Sequence, residues 1–479
     1  MIIDIEVGPV WTYIRNWPRY DTNITRLREM CSFELPFTNS RYVVGDGRKY
    51  LIEIVNANDY RVPTGLIDRV LAFFLDLYNK DQKYIYQVHG YDFRNRSRTS
   101  LEFKTFALRP YQTRAVLHGL GVTESNIYRF GGILQAATGA GKTAMAAKMI
   151  AVMNNQTLFI VHTKDLLMQA KKAFESFLGI KVGVIGAGKR DIQPVTVATI
   201  QSLQSGYDDL LASVEFVLFD ECHHVAAQTL YNTAMKLTNV KGIVGLSASP
   251  WRDDNHDLMI EAVCGPVRHV ITASDLIDEG FLVPPEITVY RRPLPPHLKK
   301  MHVDILSYHK AYTQIVTEDE SRHRLVRDIA HEQMGQGRKV LVLVKQIDHG
   351  QKLESLIDGA IFVEGRTKLS ERERIFQDFR DGKINCLIGT SLADEGIDIP
   401  CADALILAGA GSSSTRALQR IGRVIRPAPG KTSAFVADIV DENHSFQKQF
   451  YSRRKMYESE RRFTIKTVNL PIDAAFTTR

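Results

Sequence analysis

Apolar residues along this chain fall into two stretches that share one rhythm. Short β-branched or aliphatic runs alternate with longer segments whose apolar positions recur every three to four residues. That alternation is the pattern of strand–helix–strand units and parallel sheets. Between residues 106 and 290 it predicts strands at 131–136, 157–161, 182–186, 195–198, 214–219 and 242–246. Between 320 and 440 it predicts strands near 339–344, 360–363, 384–388, 404–407 and 433–439. Pro284-Pro285 and then Pro293 to Pro296 punctuate the chain between them. Residues 285–318 therefore read as linker plus helical bridge, with Thr317 and Glu320 forming a capping box for its second helix.

The first hundred residues lack this rhythm. Aromatic and basic side chains interleave there: Trp11, Tyr13, Arg15, Trp17, Arg19, Tyr20. A short sheet is expected around 41–55, where Gly45-Asp46-Gly47 supplies turn chemistry. A helix carrying Leu66, Val70, Phe73, Phe74 and Leu77 would pack on it. The core of a small domain is the commoner fate of such aromatics and the preferred reading; stacking on unpaired bases is the alternative. After residue 441 the chain is helical and basic, with Arg453, Arg454, Lys455, Arg461 and Arg462 either touching duplex DNA or forming a solvated face. The fold class is thus α/β: two tandem parallel-sheet domains behind a small N-terminal α+β domain. The expected divisions are 1–105, 106–290, a bridge at 291–318, 319–440 and a basic tail at 441–479.

At 479 residues, 44% hydrophobic and 24% charged, the chain exceeds one core and is too apolar to be disordered. Its formal net charge of +7 suits a polyanionic partner without distinguishing DNA from RNA. Five scattered cysteines with no Cys-x-x-Cys exclude a disulfide framework or a zinc site and fit a reducing cytoplasm. Asp4 and Glu6 stand where a signal peptide would be basic and then apolar, and no apolar run reaches membrane-spanning length. The expectation is a soluble cytoplasmic protein, in the host cytoplasm if phage-encoded, with no membrane partner.

Chemistry concentrates at the strand exits. Ala136 to Thr143 reads Ala-Ala-Thr-Gly-Ala-Gly-Lys-Thr between an apolar run and a helical one. Strand, glycine-rich turn and helix together let backbone N–H groups converge on phosphate oxygens. Lys142 would reach the β- and γ-phosphates, and the Thr143 hydroxyl would ligate Mg²⁺. Ala136 departs from the strict Walker pattern, which has glycine there. The apolar strand at 214–219 ends in Asp220-Glu221-Cys222-His223. Asp220 is the candidate metal contact, and Glu221 the group that orients and activates water. Arg423 and Arg426 stand three residues apart at the end of a helix at 413–423, so both could project from one face toward a γ-phosphate.

Taken together these segments resemble the superfamily 2 helicases and translocases of the DExH kind, over about 105–440. Ala136 to Thr143 matches motif I, where alanine at the first position is normal in this superfamily. Leu108-Arg109-Pro110-Tyr111-Gln112 resembles the upstream adenine-reading element, which implies a base contact for Gln112 and places Arg109 beside it. Val161 to Lys164 and Ala198 to Leu203 resemble the strand-contacting motifs. Asp220 to His223 is similar to motif II, Ser247-Ala248-Ser249 to motif III, Gly389 to Pro400 to motif V and Gln419 to Arg426 to motif VI. The resemblance implies two RecA-like domains with ATP held between them. Its nucleotide site would comprise Arg109, Gln112, Thr138, Gly139, Ala140, Gly141, Lys142, Thr143, Gly396 and Asp398. His223, Ser247, Ala248, Ser249 and Gln419 would couple hydrolysis to movement, while Thr163, Lys164, Thr199, Ser202 and Thr390 grip nucleic acid. Arg252-Asp253 and Asp278 to Pro284 narrow the likeness to the XPB and phage UvsW-type branch, which unwinds or branch-migrates forked and recombining DNA. The N-terminal layout (Phe33 to Leu35, Arg41 to Asp46 and the 63–77 helix) resembles the small domain of UvsW-type proteins. DNA, branched, forked or single-stranded, is the implied partner, and the state a monomer or weak oligomer. The alternatives are an RNA-dependent ATPase, a P-loop switch without unwinding, and the motor subunit of a restriction complex. The short segment after 440 leaves little room for the nuclease that the last would carry.

Overall fold

The computed structural model describes residues 1–34, 48–90, 98–121, 130–223, 227–248, 257–300, 307–390, 401–409 and 414–471. Its contacts divide the chain into two compact units, Met1–Ala136 with Gly141–Ile271, and Ala137–Ala140 with Thr272–Arg479.

Among the described residues the first unit holds two main sheets and a small antiparallel pair, Ser32–Glu34 with Arg48–Tyr50. The larger has eight strands in the order Lys189–Asp191, Gly183–Gly186, Val195–Thr199, Thr157–Val161, Phe216–Asp220, Gly242–Ser247, Phe130–Ala136 and Val267–Ile271. All neighbours run parallel except the hairpin at Lys189–Asp191. Its central strands are fully buried, which is why they read as largely aliphatic, β-branched runs: every residue of Thr157–Val161 and Val195–Thr199 is buried. Parallel pairing brings the exits of these strands to one edge, so the phosphate turn and the Asp220 segment emerge there with the strand Gly242–Ser247 between them.

The N-terminal sheet has the order Glu53–Ile54, Tyr60–Pro63, Trp11–Arg15, Ile2–Val7, Ile85–His89 and carries the helix Ile67–Lys80. Trp17 is completely buried, its ring edge-on to Tyr60 and Phe74, so the core reading of this aromatic holds. Tyr20 is exposed, and the half-buried Trp11 lies under Arg61. The expected turn at Gly45–Gly47 lies outside the described residues. This module does not have a core to itself. Met259 and Ala262, from the helix Asp257–Cys264 of the larger layer, complete it. A Cβ on Gly65 would come within 2.2 Å of Glu261 O and 2.3 Å of Ala262 O, so only glycine permits that approach. Arg69 clamps both carboxylate oxygens of Glu261 at 2.6 Å each.

The second unit is built on seven strands, all parallel, in the order Ala360–Val363, Cys386–Gly389, Val340–Leu343, Ala404–Leu407, Ala434–Asp441, Pro285–Arg292 and Thr464–Asn469. Two of these overturn the expected organisation. Pro285–Arg292 is no linker but an eight-residue strand inside the sheet, and the tail returns as its neighbour Thr464–Asn469. The unit accordingly begins at Thr272 and not at 319. The bridge shrinks to short helical turns, including Tyr308–Tyr312, whose Ala311 and Tyr312 form a small cluster with Leu294, Leu298, Ile315, Val316 and Phe446. The helix Glu320–Gly335 is capped by Asp319, whose side chain accepts from Arg322 N, and not by Thr317.

Four of the tail's basic residues, Arg453, Arg454, Arg461 and Arg462, are held by carboxylates. Arg453 is buried with two bonds of 2.9 Å to Asp438, which Tyr457 Oη also reaches at 2.9 Å. Arg454 pairs with Glu458 on its own helix, and Arg461 and Arg462 bind Asp275 and Asp278. Neither the DNA-touching nor the plain solvated reading describes Arg453, an internal ion pair.

Candidate nucleotide site and motor edge

The turn after Phe130–Ala136 closes with Ala140 N–H donating to Ala137 O at 3.0 Å. Gly139 (φ 93°) and Gly141 (φ 80°) take left-handed conformations that L side chains resist. Gly141 also abuts Gln112, whose Nε2 would sit 2.4 Å from a Cβ there. The helix Lys142–Met153 starts from Gly141 with no side-chain cap, leaving its first N–H groups for an anion. Gln112 is held in turn: its Oε1 accepts from Arg109 N–H at 3.0 Å at the start of the helix Pro110–Gly119.

Opposite the turn stands the exit of Phe216–Asp220. Lys142 Nζ lies 3.1 Å from Glu221 and donates to Ala136 O at 3.3 Å. Glu221 has φ 44°, a strained backbone for a non-glycine residue of the kind that gathers at functional sites. Its carboxylate accepts from Ala248 N–H at 3.5 Å and lies 3.6 Å from His223. His223 Nδ1 shares a 2.7 Å hydrogen bond with Ser247 Oγ on the adjacent strand. Lys142, Glu221, His223, Ser247 and Ala248, predicted from three separate motifs, form one continuous polar chain. Burial first, then the neighbouring Glu221 charge, raises the Asp220 carboxyl to about 7, opposed by Lys142. The Asp220 carboxylate, half-buried at its strand exit, and the Thr143 hydroxyl are hard oxygen donors of the kind that suit Mg²⁺. The residues present fit that group.

In the second unit, which includes Ala137–Ala140, the helix Ser414–Val424 packs so closely that a Cβ on Gly422 would meet Thr138 Cβ at 2.6 Å. Arg426 Nε would be 3.9 Å from a Cβ on Gly139. The helix stops at Val424, so Arg426 follows it and does not share a helical face with Arg423. Both guanidiniums are half-buried, and Gln419 is buried. Ser249, Gly396 and Asp398 lie outside the described residues.

The candidate strand-gripping residues divide. Lys164 is exposed at the exit of Thr157–Val161. Thr163 spends its hydroxyl as the N-cap of Lys164–Leu178, accepting from Leu166 N–H at 3.3 Å. Thr199 is only 5% exposed and pairs with Ser202 Oγ at 2.8 Å, so its hydroxyl is structural, leaving half-buried Ser202 as the outer member. Thr390 follows Cys386–Gly389 half-buried. Sequence reasoning passed over two exits of the same parallel sheet. Lys345 is exposed beyond Val340–Leu343, and Gly365-Arg366-Thr367 follows Ala360–Val363 with its loop carbonyls held by Arg372. A basic residue just past a parallel strand was the available signal.

Residues 105–252 match the family described as "Type III restriction enzyme, res subunit", and residues 321–428 the "Helicase conserved C-terminal domain". A protein of a Sulfolobus islandicus filamentous virus that carries a helicase name is 28% identical over 75% of this chain and 69% of its own length. The "DNA 3'-5' translocase XPB2" of Sulfurisphaera tokodaii is 26% identical over 67% of this chain and 78% of that protein. Two haloarchaeal relatives named Rad25 are matched over about half their own length. The crystal structure of T4 UvsW aligns with 98% of this chain and 100% of that chain, at 21% identity and a TM-score of 0.46. Among the described residues no helix is long and apolar enough to cross a membrane.

Proposed function

This chain is a superfamily 2 helicase, an ATP-hydrolysing enzyme, and from that premise we propose that it is a DNA helicase or translocase working on forked or branched DNA. The observation that carries the reading is the polar chain from Lys142 through Glu221 and His223 to Ser247 and Ala248. It joins the phosphate turn to the loop that leaves the neighbouring strand, so a change at the γ-phosphate is felt where that loop begins.

In this reading the backbone N–H groups of the turn and Lys142 hold the triphosphate, and Gln112 reads the base. Mg²⁺ held by Thr143 and Asp220 would neutralise phosphate charge. Glu221 takes a proton from the attacking water, and Arg423 and Arg426 stabilise charge on the transferred phosphoryl group. Hydrolysis then removes the γ-phosphate that these groups hold, and with it the interactions that favour the nucleotide-bound state. Strand contacts at Lys164, Ser202 and Thr390 are to phosphates, so binding is independent of sequence and weakens steeply with salt. DNA as the track is supported by the relatives named as DNA translocases and helicases.

The test is ATPase stimulation and strand separation across forks, Holliday junctions, single strands, blunt duplexes and RNA. Strongest stimulation by forked or branched DNA is expected. Stimulation by RNA alone would replace DNA with RNA as the track, and turnover indifferent to every nucleic acid would make the chain a switch.

A further inference from the structure

The tail spends an unusual amount of charge on one short helix, Ala273–Asp278. That helix already has a capping box: Thr272 Oγ1 accepts from Asp275 N–H and Asp275 Oδ2 from Thr272 N–H, both at 3.0 Å. Onto it comes Glu460, 9% exposed, whose carboxylate accepts from Ala273 N–H at 3.3 Å, Ser274 N–H at 2.9 Å and Ser274 Oγ at 2.5 Å. The next residue, Arg461, holds Asp275 at 3.1 Å and also Asp278, and Arg462 binds Asp278. Arg462 N–H donates to Ser274 Oγ at 3.2 Å. A carboxylate is buried at a cost unless donors satisfy it, and here three do.

The segment beyond the helix gives this anchorage a purpose. Phe281 and Leu282 N–H groups both return to Leu276 O, at 2.7 and 3.2 Å, so the next turn is fixed to the helix. Leu282 Cδ2 would lie 3.1 Å from a Cβ on Gly139. Val283 N–H donates to Ile425 O at 2.8 Å, and Ala434 N–H to Pro284 O at 3.1 Å. The backbone bond at Ile425 immediately precedes Arg426. Hydrogen bonds and the short backbone stretches between them therefore connect Glu460, Ala273–Asp278 and residues 281–283 to the carbonyl beside that arginine, all within one compact unit.

We infer that Glu460 is a positioning residue for Arg426: by seating the helix Ala273–Asp278 it sets where Val283 grips Ile425, and hence where the guanidinium stands. The inference rests on the reading that Arg426 meets the triphosphate. Its signature is a loss of turnover that exceeds any loss of substrate binding, because neither Lys142 nor the strand-gripping residues belong to this run. Displacement of a catalytic group by about 1 Å can cost up to roughly a hundredfold in rate, so a partial release should cost about tenfold.

The experiment is a double-mutant cycle on the full chain, with kcat and KM for ATP measured at saturating forked DNA and melting followed by circular dichroism. Glu460→Ala should lower kcat about tenfold with KM within twofold, and Glu460→Gln, which keeps one acceptor, should recover part of that loss. In an Arg426→Ala background Glu460→Ala should have no further effect on kcat. Ser274→Ala, a milder cut of the same run, supplies a second cycle if Glu460→Ala does not fold. Equal kcat losses in both backgrounds, or an unchanged kcat in Glu460→Ala and Ser274→Ala, would overturn the inference while leaving Arg426 its role. An Arg426→Ala protein with undiminished kcat would instead remove that role, and the inference with it.

Discussion

Lys142 and Glu221 are neighbours in this structure at 3.1 Å, with side chains only 14% and 17% exposed. A triphosphate must therefore draw the lysine away from a carboxylate and accept that carboxylate beside its own γ-phosphate. Two unit charges at this distance attract by roughly 5 kcal/mol at an effective dielectric of about 20, most of it offset by the hydration each group regains when they part. A residual of about 1–2 kcal/mol opposing nucleotide is a reasonable net, equivalent to roughly 5- to 30-fold in affinity. Glu221→Gln removes the competing charge while keeping the shape. It should bind ATP more tightly by about that factor, and hydrolyse it about 10²- to 10⁴-fold more slowly through loss of the general base. Lys142→Ala makes the converse control, losing binding and turnover together. Equilibrium titration with a fluorescent non-hydrolysable ATP analogue reads the first quantity, and single-turnover hydrolysis the second. Weaker binding by Glu221→Gln would show that the lysine–glutamate contact does not compete with nucleotide. Wild-type hydrolysis would remove Glu221 from the chemistry altogether.

Arg423→Ala should cut turnover by about 10²-fold or more, as removal of a transition-state arginine does, while affinity for forked DNA at fixed salt stays within twofold. An equal fall in both, read by steady-state ATPase and fluorescence anisotropy, would make it a DNA contact instead. Trp17→Ala should destabilise the N-terminal module by about 3–5 kcal/mol, since it empties a fully buried site among Tyr60, Phe73 and Phe74. Because that module shares its core with Met259 and Ala262, a single melting transition should shift; a separate early transition would show that the shared core does not couple them. His349 and His323 lie ring to ring at 5.2 Å, both held below the ordinary histidine value by burial first and then by Arg322. The unfolded chain takes up protons near pH 6.5 and the folded pair does not, so the stability these groups contribute is present above that pH and is lost as pH falls below it. His349→Leu should make the decline in melting temperature from pH 7 to pH 5 shallower, and parallel curves for the two proteins would refute the assignment.

Legibility in the sequence depends on which interactions are local. Phe216–Asp220 and Thr157–Val161 announce themselves because strands buried on both faces leave no room for polar residues, and a charge then marks their exit. The phosphate turn is legible for the same reason, its glycines and lysine being contiguous. Pro285–Arg292 was hidden by its own punctuation. Prolines on both sides suggest a linker, yet proline is tolerated as the first residue of a strand, and the half-buried positions of this strand, Glu286, Thr288 and Arg291, are polar. The tail misled in another way. Arg453 looks like any basic residue until the fold brings it against Asp438, 15 residues earlier on the strand that precedes its helix. Charge becomes information about function only once its partners are known. The same limit applies to hydroxyls: Thr163 and Thr199 sit in segments that resemble strand-contacting motifs, but one caps a helix and the other closes on Ser202. A motif fixes the edge of the sheet at which contacts are made. Which atom could make them depends on what the fold has already claimed; at this edge Lys164 is exposed and Ser202 half-buried.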